Sequence, residues 1–273
     1  MKSIRLHSAN NDFQRIEVLR RNRQKRQHYG EFFVEGVRPI NLALRHGWDI
    51  QAFVYSSERG LSDWAKDILR NSTARKHFDL PDRLAEQLSG KTDASELMAI
   101  VRMPEDDPSR IPRTSNPLVV VFDRPSSPGN LGSLIRSSDA LGVDGLLITG
   151  HGADLYDPET ISASRGSLFA LPTVRVAGPR ELDACLRLLR QTHTGVSVIA
   201  MDEEADVDIW SADLSGPTVL LLGNEKWGLS AGMKELATVM TRIPMEGAAS
   251  SLNVAAAGSI ALYEIRRQRR GLV

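Results

Sequence analysis

Cysteine is almost missing from this sequence: Cys185 is the only one in 273 residues, which excludes an internal disulfide framework. No run of about eighteen apolar residues occurs, so no membrane-spanning helix is expected. The first thirty residues are polar and arginine-rich where a signal peptide would be apolar, and the expected location is therefore the cytoplasm. Cofactor and metal signatures are also absent. Neither half has a G-x-G-x-x-G after its first strand, and no G-x-x-x-x-G-K-[ST] occurs, which argues against nicotinamide, flavin and P-loop chemistry. His7, His28, His46, His77, His151 and His193 are scattered without H-E-x-x-H spacing, and no metal site is expected.

Net charge is the last absence, at +0, but it averages two unlike halves. Residues 1–113 carry 20 Lys+Arg against 16 Asp+Glu (+4), and the remainder 14 against 18 (−4). The positive excess has a focus. Arg15, Arg20, Arg21, Arg23, Lys25 and Arg26 fall in one short stretch opposed only by Glu17. A solvated helix face and an arm laid on a phosphate backbone both fit this run.

What is present is ordinary globular material, 41% hydrophobic and 25% charged, enough for two modest domains or one large one. Residues 104–117 include Pro104, Pro108, Pro112 and Pro117 with few apolar residues, and read as an extended linker. Before it, short strands at 32–34, 50–55 and 98–101 alternate with helices at 38–45, 62–69 and 81–88, a small α/β domain over 1–103. After it, β-branched runs at 118–122, 146–149, 196–200, 218–222 and 239–243 predict buried parallel strands. Helices are predicted between and after them at 131–141, 158–169, 179–190, 230–237 and 252–267, giving an α/β domain with a mostly parallel sheet over 118–273. The acidic stretch from Asp202 to Asp208 reads as a solvated loop, and Trp48, Trp64 and Cys185 as packing residues.

In an open parallel sheet, ligands bind beyond the carboxyl ends of the strands, so the loops there are the place to look for chemistry. Three stand out. In the first, Asn130 takes an N-cap position, Leu131, Leu134, Ile135 and Leu141 form an inward stripe, and Arg136 lies off it; a capped helix with a surface arginine also fits. In the second, Gly223 and Gly228 bracket Asn224, Glu225, Lys226 and Trp227, either as turn residues or to admit a ligand to the backbone. The third runs from Ile243 through Met245, Ser251, Leu252 and Asn253 into a helix that begins with Ala255, Ala256, Ala257, Gly258 and Ser259, small residues that allow close approach within the subunit or across a dimer.

Together, in this order, Asn130-x-Gly132-x-x-x-Arg136, Gly223-Asn224-Glu225-Lys226-Trp227-Gly228, and Ile243-Pro244-Met245 with Ser251-Leu252-Asn253-Val254 resemble the three motifs of the SpoU/TrmH RNA 2′-O-methyltransferases of the SPOUT superfamily. The stretch from Ser162 to Pro172, with Arg165, and Phe32-Phe33-Val34-Glu35-Gly36 upstream are also similar to that family. The resemblance implies a C-terminal SPOUT-type sheet with a trefoil knot, a small RNA-binding α/β domain before it, and a homodimer whose active sites lie at the subunit interface. It implies S-adenosylmethionine held by Leu222, Gly223, Asn224, Gly228, Ile243, Met245, Ser251, Leu252 and Asn253. Arg136, Asn130, Glu225, Ser251 and Asn253 are the implied catalytic set, and Arg20, Arg21, Arg23, Arg26 and Arg165 the candidate RNA contacts. Ribosomal RNA, in some relatives methylated to confer antibiotic resistance, is favoured over transfer RNA. A non-catalytic RNA-binding protein on the same fold is the reading from another class, and binding and turnover of the cofactor separate the two.

The implied reaction moves a methyl group from a sulfonium to a ribose hydroxyl by direct displacement, in which positioning supplies much of the rate. The hydroxyl must lose its proton, and a guanidinium with a pKa above about 12 is a reluctant base. Arg136 is therefore expected to hold the ribose phosphate and stabilise the developing alkoxide.

Overall fold

The computed structural model describes residues 2–90 and 94–271. The chain divides into two compact units, Met1–Pro104 with Tyr156–Ala170, and Glu105–Leu155 with Leu171–Val273.

The first unit runs β1 (Lys2–Arg5), α1 (Asn11–Arg21), α2 (Arg23–Tyr29), β2 (Glu31–Glu35), α3 (Val37–Arg45), β3 (Ile50–Tyr55), α4 (Asp63–Asn71), β4 (Lys76–Asp79), α5 (Asp82–Ser89) and β5 (Leu97–Arg102). The basic stretch is helical because its ends are capped. Asn10 accepts from Phe13 N at the start of α1, and Asn22 ends α1 while accepting from Lys25 N to begin α2. Phe13, Ile16 and Leu19 recur at helical spacing on α1 and pack with Leu84 and Leu88 of α5 over Phe33, Ala52, Val54, Met98 and Ile100 of the sheet. Each such side chain, fully buried, contributes about 1.5–3 kcal/mol. The sheet order is β1-β4-β3-β5-β2, with β1, β4 and β3 parallel and β5 antiparallel to both of its neighbours.

The second unit begins in the proline-rich stretch, which is not a free tether. Asp106 accepts from Arg175 Nε at 2.8 Å, and a single 3-10 turn spans Pro108–Arg110. There follow β6 (Leu118–Asp123), α6 (Pro128–Ala140) and β7 (Gly145–Thr149). The chain then returns to the first unit for α7 (Pro158–Ser164) and α8 (Ser167–Ala170). One helix was expected over 158–169, but Arg165 (φ 52°) and Gly166 (φ 93°) turn left-handed and split it. Tyr156 and Phe169 from this segment stack on Phe32, and Trp48 donates its Nε1 to Phe169 O at 2.9 Å. An aromatic cluster with no sequence proximity holds 156–170 in the first unit.

Back in the second unit come β8 (Thr173–Val176), α9 (Pro179–Thr192), β9 (Ser197–Met201), β10 (Val207–Asp208), β11 (Thr218–Leu222), α10 (Ala231–Lys234), β12 (Val239–Arg242) and α11 (Val254–Arg269). All seven strands are parallel, in the order β10-β12-β9-β11-β6-β7-β8. The strand order reverses direction after β8, and β11 is inserted between β6 and β9. Loops from β6, β9, β11 and β12 therefore gather at one end of the sheet, the arrangement that makes a crevice in open α/β folds. Gly258 of α11 lies against Leu134 of α6 and Leu222, where a Cβ would come within 2.7 Å and 2.8 Å of their side chains. Close approach inside the subunit thus accounts for that small residue. Among the described residues no helix is long and apolar enough to cross a membrane.

Candidate active site

The crevice at the carboxyl ends of the strands is a cleft of about 580 Å³, within the range of roughly 300–1,000 Å³ usual for small-molecule sites. Its walls are the loops after β9, β11 and β12, with Asn130 from α6.

The β11 loop is held by its own backbone and by its neighbours. Asn224 and Gly228 exchange both backbone hydrogen bonds, and Asn224 Oδ1 accepts from Lys226 N (2.9 Å) and Trp227 N (3.1 Å). A Cβ on Gly223 would lie 2.3 Å from Gly228 C, so this glycine permits the loop to cross itself. Gly228, at φ 63° with nothing nearby, is there for its turn. Asn224 Nδ2 donates to Arg124 O at 2.6 Å, so both ends of the asparagine side chain shape the loop.

A second network ties three loops together. Glu225 accepts from Ser126 N and Oγ on one carboxylate oxygen, and from Ser127 N and Asn130 Nδ2 on the other. Asn130 Oδ1 accepts from Asn253 Nδ2 at 2.9 Å, and Asn253 Oδ1 caps α11 by accepting from Ala255 N and Ala256 N. Partial burial alone would raise the Glu225 carboxyl, but the hydrogen bonds from Ser126 and Asn130 outweigh it and hold the group below its ordinary value. Glu225 is thus a charged anchor whose oxygens are occupied, and a poor proton acceptor. Asn130 differs from its expected place: Ser127 is the N-cap of α6, with Pro128 in the first turn, and this frees the asparagine amide to bridge Glu225 and Asn253.

Sequence reasoning missed the residues beneath these loops. Asp123, buried at the end of β6, accepts from Thr149 Oγ1 (2.7 Å), Ser230 N (2.9 Å) and Arg124 Nε (3.1 Å), and Arg124 in turn donates to Gly228 O (3.1 Å). Arg124 does this from φ 52°, a strained backbone for a side-chain-bearing residue. An acid closing the run Leu118-Val119-Val120-Val121-Phe122 was the available signal. Asp202 was missed as well: it pairs with Lys234 at 2.5 Å and lines the cleft beside Glu203 and Glu204, so the acidic stretch is part of the site and not only solvated loop.

All nine residues expected to hold the cofactor line this cleft. Leu222, Ile243, Met245 and Leu252 supply apolar walls suited to an adenine, while Asp202, Glu203 and Glu204 supply carboxylates suited to ribose hydroxyls and a cationic methionine portion. Among the described residues, 245–252 make no hydrogen bond of their own, leaving backbone donors and acceptors to be met by a ligand or water. The donor set therefore fits S-adenosylmethionine.

The arginines divide differently from expectation. Arg136 is exposed on α6, forms no hydrogen bond or ion pair among the described residues, and does not line the cleft. It lies six residues beyond Asn130, about 9 Å along the helix axis. Arg21 is exposed and pairs with Glu17 at 3.2 Å, Arg23 is exposed, Arg20 is half-buried, and Arg165 is exposed at the left-handed break after α7. Arg26 corrects the RNA-contact set. It is only 2% exposed, donating to Leu19 O and Arg20 O at 3.0 Å and pairing with Asp157 at 3.2 Å, so it has no free face for a phosphate.

A parallel α/β sheet with a cleft at the carboxyl ends of its strands, where the strand order reverses, defines an α/β protein built to hold a small ligand there. The chain belongs to the SpoU rRNA Methylase family, whose model matches residues 117–263, and residues 10–99 match the SpoU L30e-like domain. It is 47% identical to a 23S rRNA (uridine(2479)-2′-O)-methyltransferase of Streptomyces viridochromogenes, over 97% of this chain and 92% of the relative. The SpoU methyltransferase AviRb of the same organism, solved with AdoMet, is similar at a TM-score of 0.88 and 45% identity, covering 96% of this chain and 100% of that one. An AdoMet-bound rRNA methyltransferase from Sinorhizobium meliloti superposes at a TM-score of 0.84 with 29% identity, over 97% and 98% of the two chains.

Proposed function

We propose that this protein methylates a ribose 2′-hydroxyl in 23S ribosomal RNA, working in the cytoplasm as a homodimer. The observation that carries the reading is the hydrogen-bonded chain Ser126/Ser127–Glu225–Asn130–Asn253, which joins all three motif loops beside a cleft that fits the cofactor. Bound in that cleft, S-adenosylmethionine supplies an activated methyl group. Leu222, Gly223, Asn224, Gly228, Ile243, Met245, Ser251, Leu252 and Asn253 hold it; Glu225 and Asn130 keep the loops in register, with Ser251 and Asn253 at the acceptor side. Arg136 supplies the positive charge that holds the ribose phosphate and stabilises the alkoxide. Since Arg136 stands outside the cleft of its own subunit, it serves the cleft of the partner, and the exposed apolar residues Leu252, Ile260 and Tyr263 around α11 suit such a dimer contact. In the same reading the deep trefoil knot encloses the cofactor loops, residues 1–103 grip the RNA through Arg20, Arg21, Arg23 and, from the returning segment, Arg165, residues 104–117 connect, and 118–273 catalyse.

The test is a map of ribose methylation across total RNA from cells with and without the gene. Loss of one 2′-O-methyl group from 23S rRNA is expected. Loss confined to transfer RNA would overturn the target, and an unchanged map would overturn the activity. Susceptibility of the same cells to ribosome-directed antibiotics then separates housekeeping from resistance.

A further inference from the structure

Trp227 is 70% exposed, more than any other large apolar side chain among the described residues, and it stands at the rim of the cleft. It is not a loose side chain on a loose loop. Its backbone N–H is held by Asn224 Oδ1, the turn is closed by both Asn224–Gly228 hydrogen bonds, and Glu225 is moored by Ser126, Ser127 and Asn130. The next side chain back, Lys226, carries its ammonium 4.5 Å from the indole centroid. The fold thus presents a flat aromatic surface and a cation together, in water, on a fixed turn.

Three occupants can be weighed: the cofactor, a second subunit and the RNA. The cofactor is disfavoured because the Lys226 ammonium beside the indole would face a ligand that itself carries a sulfonium and an ammonium. A protein partner is disfavoured by the neighbouring ammonium, because lysine is depleted from the buried centres of such interfaces. A nucleotide matches both groups at once, its base offering a π-face and its phosphate a negative charge. It is also the ligand whose ribose must be brought to this cleft, so a base joined to the acceptor ribose, or next to it, comes within reach of the rim.

We propose that Trp227 is a stacking platform for a nucleobase of the RNA substrate, at or beside the acceptor nucleotide, with Lys226 pairing an adjacent phosphate. This rests on the RNA-methylating function proposed above and adds the residue that seats the base. The test uses the full-length protein and in vitro transcribed 23S rRNA, comparing wild type with Trp227→Ala and Trp227→Tyr. Loss of the ring is expected to raise KM for the RNA about tenfold, the scale of one base–aromatic stack, with the tyrosine variant recovering most of it. S-adenosylmethionine affinity by calorimetry and oligomeric state by sedimentation should stay as in the wild type. An unchanged KM overturns the proposal, as does a fall in cofactor affinity, which would make Trp227 a cofactor lid, or dissociation of the oligomer, which would make it a subunit contact. Tryptophan fluorescence with poly(U) reads stacking without any methyl transfer: quenching in wild type that is lost in Trp227→Phe is expected, and equal quenching in both overturns it. A wild type that methylates no RNA but shows this quenching would sink the functional reading and leave the stacking site standing.

Discussion

Arg26 of the first unit and Arg136 of the second are used in opposite ways. In the first, Arg26 is buried and consumed by two backbone carbonyls and Asp157, while Arg15 pairs with Glu31 and Arg102 with Asp49. In the second, Arg136 stands on an exposed helix face with no hydrogen bond or ion pair among the described residues, while Glu225 accepts four hydrogen bonds. A cluster of basic residues is therefore not by itself a basic surface. What decides is whether the guanidinium has already spent its five donors.

The contrast breaks most visibly at Arg26. Replacing it with Ala leaves the buried Leu19 carbonyl, the part-buried Arg20 carbonyl and Asp157 Oδ2 without the guanidinium, and unfolding stability should fall by about 3 kcal/mol, read from the denaturant midpoint. Cofactor affinity per folded molecule should be unchanged. A midpoint equal to that of the wild type would mean that these buried contacts contribute nothing to the fold.

Arg136 predicts the reverse pattern, full stability with lost turnover. Arg136→Ala should reduce methyl transfer about a hundredfold or more while leaving S-adenosylmethionine affinity close to wild type, since the residue is outside the cleft. Arg136→Lys keeps the charge without the bidentate fork and should retain part of the rate. A guanidine acting as base would instead shift the pH–rate profile of the lysine variant to lower pH. Alanine turnover at the wild-type rate would reduce Arg136 to a surface helix residue.

Glu225 sharpens the comparison from the side of the anchors. Its lowered carboxyl is stabilising at pH values above the ordinary carboxylate range, and that stabilisation is lost as pH falls through the lowered value. Glu225→Gln removes the charge and turns an NH₂ group toward two donors that shared one oxygen. Cofactor affinity should drop by about 1–2 kcal/mol, with the loss already complete at neutral pH. Wild-type affinity should weaken only on acidification. A glutamine variant that binds as tightly as wild type would mean that the three loops hold register without this carboxylate.

The same comparison explains what could be read in advance. Strands such as Thr218–Leu222 and Leu118–Asp123 are visible because a parallel strand buried on both faces is a nearly unbroken β-branched or leucine run. By contrast β1 (Lys2–Arg5), β4 (Lys76–Asp79), β8 (Thr173–Val176) and β10 (Val207–Asp208) are two to four residues long and mixed in polarity, and they form only because a longer neighbour offers a ladder. The reading of the cleft as a cofactor site rests on the family resemblance, while its position was legible from motif order, since each motif follows a strand end and strand ends converge. The Asp123–Arg124 brace was not, because Arg124 reaches Gly228 across 104 residues. Nor was the return of 156–170 to the first unit, which rests on Phe32, Trp48, Tyr156 and Phe169 meeting across a similar gap.

The smallest expected effect concerns the more exposed arginines of the first unit. Arg21 and Arg23 are exposed and Arg20 half-buried, and the Arg21–Glu17 contact is a surface pair of the kind worth about 0.3–0.5 kcal/mol. Neutralising all three to Gln should therefore leave the unfolding midpoint nearly unmoved. If they contact phosphates, each lost contact also removes released counterions, and the slope of log affinity against log salt for 23S rRNA should flatten by about 0.7–0.9 per contact. Cofactor affinity should not change, because no residue of this cluster lines the cleft. The sign of the two readouts separates this cluster from Arg26, where stability moves and the salt slope, corrected for the folded fraction, does not. A triple variant with the wild-type salt slope would leave the whole N-terminal basic stretch as a solvated helix face, and RNA binding would then have to be sought on other surfaces of the molecule.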